Sequence, residues 1–217
     1  PGFVSALRGG CDANGALLII DEVITFRTGF DGAQGGYDAR PDLTAMGKMI
    51  GGGFPVGAIA GRSEVMDVMD PTQGPARFPH YGTFSANPIT MTAGRIAMRD
   101  FDRAAVTRLN ALAKVARDQI GEAIKLADIP ACVTGAGSMF RVHFKEVPPM
   151  DYRAAFMSAD EQATLAAFLD HAFESGLLLI ETGAGLLSTP MTQAEIDRMS
   201  EIMLGGFRKA RALSLSA

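Results

Sequence analysis

Residues 15–21 read Gly-Ala-Leu-Leu-Ile-Ile-Asp, and this run constrains the fold more than any other part of the chain. Apolar side chains in unbroken succession, without polar alternation, describe a strand covered on both faces. Strands of that kind belong to parallel sheets flanked by helices. Residues 43–46 and 56–60 supply further short strands, reached through a Gly-rich loop that ends at Arg40. Residues 63–69, 87–101 and 103–126 read as helices, the last with Val106, Leu109, Ala113, Ile120 and Ile124 spaced to share one face. The alternation predicts an α/β fold.

From "VTGAGSMFRVHF" onward the texture changes to strands mixed with two long helices. Each of these opens on a capping-box pattern, Ser158 with Glu161 and Thr192 with Glu195. The change predicts two domains, residues 1–101 and a small C-terminal domain at 102–217. The final helix carries Ile196, Met199, Met203 and Phe207 on one side, as expected of packing against that domain's sheet. The first buried strand follows Pro1 by only about fifteen residues. Because a parallel strand needs neighbours, the sequence predicts that preceding chain has been separated or is not included.

With 47% hydrophobic residues the chain can bury a sizeable core, while a net charge of −4 and a pI near 5.4 disfavour nucleic acid and anionic membrane surfaces as partners. The longest apolar runs are too short to span a bilayer and no leader pattern opens the chain, which predicts a cytoplasmic setting. Cys11 and Cys132 lie far apart without a C-x-x-C pattern, so they predict two buried or half-buried thiols rather than a disulfide scaffold or a zinc site.

The string "PDLTAMGKMIGGGFPVG", residues 41–57, sets Lys48 between an apolar stretch and three glycines. It is not a P-loop, because Asp42 takes the first glycine position and Met49 follows the lysine. Nor is it a dinucleotide fingerprint, since Val56 stands where the last glycine belongs. His80, His143 and His171 are scattered without ligand spacing and read as surface or packing residues. What remains is a pairing, with Asp21 closing one strand and Lys48 following the next.

Ligands of open α/β sheets bind beyond the carboxyl ends of the strands, so these two side chains can face one cavity. A lysine of ordinary pKa, about 10.4, becomes a nucleophile once desolvation or a nearby cation releases its free amine. Gly51, Gly52 and Gly53 would let a ligand approach the backbone closely. Plainer readings stand beside these: a surface lysine before a glycine turn, Asp21 capping a turn, Val23 as core, and Thr83 as a loop hydroxyl bonded to its own backbone.

Three strings, "GALLIIDEVITFRTGFDGAQGGY", "PDLTAMGKMIGGGFPVGAIAGR" and "HYGTFSANPITMTAG", occur in this order. Together they resemble the class III aminotransferases that use pyridoxal 5′-phosphate, in the branch of glutamate-1-semialdehyde 2,1-aminomutase and the β-amino-acid aminotransferases. The resemblance covers essentially the whole chain and is strongest over residues 15–94.

It implies the PLP-dependent transferase fold type I, similar to aspartate aminotransferase, as the C-terminal part of the PLP-binding large domain followed by a small α+β domain. It assigns Lys48 the Schiff base with the cofactor and the proton transfers of catalysis, Asp21 the pyridine nitrogen, and Val23 the ring face. Gly82 and Thr83 would hold the cofactor phosphate from the neighbouring subunit of a homodimer.

Family members also carry an amino-terminal half with a phosphate cradle, a stacking aromatic, a gating loop and much of the substrate pocket, none of it assignable here. The implied substrates are an amine or amino acid and a keto or aldehyde acceptor. An aminomutase that shifts the amine within one substrate stays open, as does a non-catalytic remnant of the fold. Arg27 and Arg141 are candidates for a substrate carboxylate, with Arg141 also readable as an outward strand residue. The stretch "LLLIETGAGLLSTP" offers no arginine.

Overall fold

The strands of the first half form where apolar runs end in glycine or acid, and the computed structural model, which describes residues 2–72 and 74–214, sets three of them side by side. The chain divides into two units, Pro1–Val106 and Thr107–Ala217.

The first unit contains helix α1 (Gly2–Asn14), strand β1 (Ile19–Asp21), a short helix α2 (Gly32–Gly36), strands β2 (Leu43–Gly47) and β3 (Gly57–Gly61), a single turn α3 (Ser63–Met66) and helix α4 (Pro88–Asp100). β1 runs parallel to β2 with Asp21 opposite Ala45, and β3 returns antiparallel to β2 with Gly57 opposite Gly47. Helix α4 starts where it does because Asn87 accepts the Thr90 amide at 2.9 Å and Pro88 occupies the first turn, whose amides need no partner within the helix.

Asp42, almost wholly buried, ties this unit together. Its carboxylate accepts the Leu18 amide at 2.8 Å, Arg8 of α1 at 2.8 Å and Arg62 beyond β3 at 2.9 Å. These donors favour the ionised form and hold the carboxyl down at about 2.

Three features depart from the sequence reading. β1 is shorter than residues 16–21 and is not covered on both faces: Leu18 is buried, but Leu17 and Ile19 are 52% and 59% exposed. β1 is the edge of the sheet as described, so an apolar run suited to a sheet interior lies open. The stretch read as a Gly-rich loop contains a tight 3-10 turn, Thr25–Thr28, as well as α2. Helix α1 carries no sequence signal strong enough to separate it from a loop, and none of its residues is buried.

Helix α5 (Arg103–Ala127) begins in the first unit, where Asp102 caps it by accepting the Ala105 amide. The second unit continues with strands β4 (Cys132–Thr134) and β5 (Met139–His143), helices α6 (Tyr152–Ala155) and α7 (Ala159–Glu174), strand β6 (Ala184–Leu186) and helix α8 (Gln193–Ser214). β5 is central in an antiparallel sheet, and its alternation sends Phe140 and Val142 into the core while Arg141 and His143 take the other face.

The apolar stripe of α8 lies mainly on α7. Gly205 and Gly206 leave room for His171 and Phe168, Phe168 stacks on Phe207 at 4.7 Å, and Phe144, one residue beyond β5, meets both rings edge-on. A full capping box opens α7, between Ser158 and Glu161. At α8 the expected box is half made: Glu195 reaches back to the Thr192 amide at 2.7 Å, but the Thr192 hydroxyl donates to that same carboxylate and accepts from Ala194, at 3.3 Å, instead of from Glu195. Among the described residues no helix is long and apolar enough to cross a membrane.

Candidate active site

Asp21 and Lys48 occupy the carboxyl ends of two neighbouring parallel strands. Asp21 is the last residue of β1, and Lys48 directly follows Gly47, the last residue of β2. Adjacent strands lie about 4.8 Å apart, and both side chains are exposed.

Lys48 has a left-handed backbone, φ 51°, between an extended Gly47 and the 3-10 turn Lys48–Gly51. For a residue with a side chain this conformation costs on the order of 1–2 kcal/mol, and such strain persists where the surroundings over-determine it. The turn is clamped from behind. Gly51 leaves space for Val56, and Gly52, itself left-handed at φ 60°, lies so close to Ala93 and Gly94 of α4 that no side-chain carbon fits between them. The closest neighbour of Gly52 is therefore helix α4, in a position the sequence reading had reserved for a ligand. A side-chain carbon on Gly53 would meet nothing within 4 Å.

Asp21 is held by its own turn, because its Oδ1 accepts the Val23 amide at 2.9 Å. The turn-capping reading and the cofactor reading of Asp21 are compatible, since one oxygen takes the Val23 amide and the residue is exposed. Val23 is half-buried, with methyl carbons 3.5 and 3.7 Å from where a side chain on Gly47 would begin. An acid, an apolar patch and an amine are thus adjacent at one end of the sheet.

Gly82 and Thr83 lie exposed in the loop before α4. Gly82 closes a turn through Ser85, at 3.0 Å, and Ala86 is left-handed at φ 53°. Among the described residues neither Gly82 nor Thr83 hydrogen-bonds to Asp21, Val23 or Lys48.

The other candidates are placed as follows. Arg27 is half-buried in the Thr25–Thr28 turn, and burial lowers its pKa from the ordinary arginine value. Arg141 is half-buried on β5 and donates from Nε to the Thr182 carbonyl at 3.1 Å. His143 shares a 2.9 Å hydrogen bond with Thr134, and burial, then the positive charges of Arg141 and Lys145, lower its pKa. Burial raises the pKa of the Cys132 thiol, against a smaller opposing effect of Lys145.

One residue the sequence reading passed over is Glu22. It is fully buried, accepts the Thr25 hydroxyl, and accepts the Gln34 amide at 2.6 Å. Nothing in a lone Asp-Glu pair reveals which carboxylate turns inward. The parity of the strand does, once its buried face is known.

The sequence profile of the family described as Aminotransferase class-III matches residues 1–204. The chain belongs to the class-III aminotransferases. This class-III chain is 38% identical over 206 residues to a glutamate-1-semialdehyde 2,1-aminomutase of Opitutus terrae, covering 93% of the chain and 47% of that protein. It superposes with TM-score 0.94 on an omega-transaminase from Sphaerobacter thermophilus, at 43% identity over 97% of this chain and 48% of the other. It also superposes with TM-score 0.88 on a transaminase solved with PLP bound, at 35% identity over 97% of this chain and 48% of that one. The fold is accordingly that of the PLP-dependent transaminases, fold type I. The class-III chain spans about half the length of the relatives it matches.

Proposed function

We propose that this chain carries the lysine side of a pyridoxal 5′-phosphate site and transfers amino groups between an amine or amino acid and a keto or aldehyde acceptor. The single observation that carries the reading is the strained, exposed Lys48 at the end of β2, beside the Asp21 that ends parallel β1. The residues fit the cofactor: an amine for its aldehyde, a carboxylate for its ring nitrogen, and the Val23 methyls for a ring face. When bound, the cofactor supplies an aldehyde that condenses with amines and a ring that withdraws electron density from the bond being broken.

The chain's residues do the rest. The Lys48 amine would hold the cofactor and would take and return the proton at the substrate carbon. The Asp21 carboxylate would favour a proton on the ring nitrogen, and its contact with the Val23 amide would keep it from rotating away. Gly82 and Thr83 contribute a backbone amide and a hydroxyl to the phosphate of a second copy. The outer face of α4 supports a homodimer, since Pro88, Ile89, Thr92, Ala93 and Ile96 line an open apolar recess of about 480 Å³.

Completion of the site requires further polypeptide. No residue of helix α1 is buried, the Leu17 and Ile19 side of edge strand β1 is open, and the relatives are about twice the length matched. A second reading, intramolecular amine shift as in an aminomutase, is favoured by the 38% identity to a protein of that name.

The test is to incubate the purified protein with pyridoxal phosphate, reduce with borohydride and map the pyridoxyl adduct by peptide mass. Modification of Lys48, lost when an amine donor is added before reduction, is expected. Soluble, folded protein with Lys48 unmodified would favour the non-catalytic remnant. Turnover that needs an added keto acceptor separates the transaminase from the aminomutase.

A further inference from the structure

The geometry points to Glu22 as a positioning residue: we infer that its buried carboxylate locks the end of β1 so that Asp21 and Val23 face the Lys48 side together. The inference rests on the pyridoxal phosphate reading of that site and adds the part that holds it in register.

At the extended end of β1 successive side chains point to opposite faces, so Glu22 turns inward where Asp21 turns outward, and the turn that follows sets Val23 against Gly47. Glu22 is wholly excluded from solvent. Its backbone amide donates to the Ala45 carbonyl at 2.8 Å, which extends the β1–β2 pairing one step past Asp21. Its carboxylate accepts the Thr25 hydroxyl and, at 2.6 Å, the Gln34 amide. The Gln34 side-chain carbonyl in turn accepts the Thr44 hydroxyl of β2 at 2.8 Å.

The result is a closed ring of contacts, from β1 through Glu22 to Gln34, on to Thr44 and back across the strand pair. Gly32 completes it. With φ 72° and a side-chain position only 2.7 Å from Glu22 Oε1, it is a residue that only glycine can be. A slip or rotation of β1 at Glu22 would break both carboxylate bonds and leave a buried carboxylate unpaired. That penalty is what keeps Asp21 and Val23 on the cofactor's side.

Glutamine can make the same ties. Its carbonyl can accept the Gln34 amide and its amide can donate to the Thr25 oxygen, whereas alanine can make neither. The experiment compares the purified wild-type protein with Glu22→Ala and Glu22→Gln, titrating each with pyridoxal phosphate and recording the visible absorption maximum of the bound cofactor.

Expected for Glu22→Ala, which loses both bonds, is a dissociation constant raised at least about tenfold, together with a displaced maximum. Glu22→Gln should restore both. A folded Glu22→Ala protein with wild-type affinity and spectrum overturns the inference, as does a glutamine variant as damaged as the alanine one. Should Glu22→Ala fail to fold, Thr25→Val removes one donor to the carboxylate at constant shape. It should displace affinity and spectrum in the same direction, and unchanged values overturn the inference. Wild-type protein that takes up no pyridoxal phosphate sinks the proposed function and this inference together, whereas variants matching a wild type that does bind sink the inference alone.

Discussion

Gly52 meets Ala93 backbone to backbone: a side-chain carbon on Gly52 would lie 2.5 Å from the Ala93 carbonyl carbon. The lysine turn is therefore braced by helix α4, and the glycine belongs to the brace. Gly52→Ala should lower unfolding stability by at least about 2 kcal/mol, from overlap with an immovable backbone added to left-handed strain. Gly53 is also left-handed, at φ 95°, but has open space around it, so Gly53→Ala should cost only about 1 kcal/mol. Denaturant unfolding of the two variants checks this, and equal losses would mean that α4 does not press on the turn.

The acid limit of stability should follow Asp42. Its folded pKa, about 2, lies below the ordinary 3.8, so the folded state favours the ionised form. The stabilisation is fully present above the unfolded value and drains away as pH falls from about 4 to about 2. Asp42→Asn puts an amide donor against Arg8 and Arg62, so it should be less stable near neutral pH and lose less between pH 4 and 2. Melting temperatures across that range decide the matter, and parallel curves for the two proteins would count against it.

How much of this was legible in the sequence depends on how local the cause is. β2, β3, α4 and α7 fall within a residue or two of their expected positions because Asn87-Pro88, Ser158 with Glu161 and the apolar periods act over a few residues. Covering of β1 was misjudged because burial depends on what lies across the sheet, and a string of letters holds no information about that. The packing around Gly51 and Gly52 was hidden for the same reason: the Val56 side chain lies against Gly51, and the backbone of Ala93, about forty residues further on, lies against Gly52. Glu22 was invisible because two adjacent acids differ only in the face they take. The expected boundary after residue 101 and the division at Val106 both fall where α5 starts, since one continuous helix leaves no break in periodicity to read.

In the second unit, Ser158→Ala removes the hydroxyl that accepts the Glu161 amide at 3.2 Å, and should cost about 1 kcal/mol. Glu161→Ala should cost more. It loses the reciprocal bond to the Ser158 amide as well as the ion pair with Lys145, at 2.7 Å, whose two side chains are only 20% and 25% exposed. The Lys145 contact is the main reason the Glu161 carboxyl sits below its ordinary pKa. Urea midpoints of both variants test the order, which the ion pair predicts and capping alone does not.

Phe168 and Phe207, both fully buried and stacked at 4.7 Å, form the seam between α7 and α8. Phe168→Ala should destabilise the second unit by about 3–5 kcal/mol. Phe168→Leu should cost markedly less, because it keeps most of the volume. Calorimetric unfolding distinguishes them, and a small loss for alanine would mean that α8 repacks over the gap.

The conformation of Lys48 yields the sharpest test, because strain and function predict opposite responses to one change. If its φ of 51° is imposed by the surrounding turn, glycine at that position removes the penalty while alanine retains it. Lys48→Gly should therefore be more stable than Lys48→Ala by about 1 kcal/mol, and also more stable than the wild type, while both variants lose the borohydride-trapped adduct. A chain selected for stability alone would place glycine there, as it does at Gly52 and Gly53. Asp38, Arg40, Ala86 and Asp128 share the conformation, so it is the strain together with the position beside Asp21 that points to work for the amine. Unfolding curves that rank the glycine variant no higher than the alanine variant would remove that argument, and the strained lysine would then carry no weight in assigning the site.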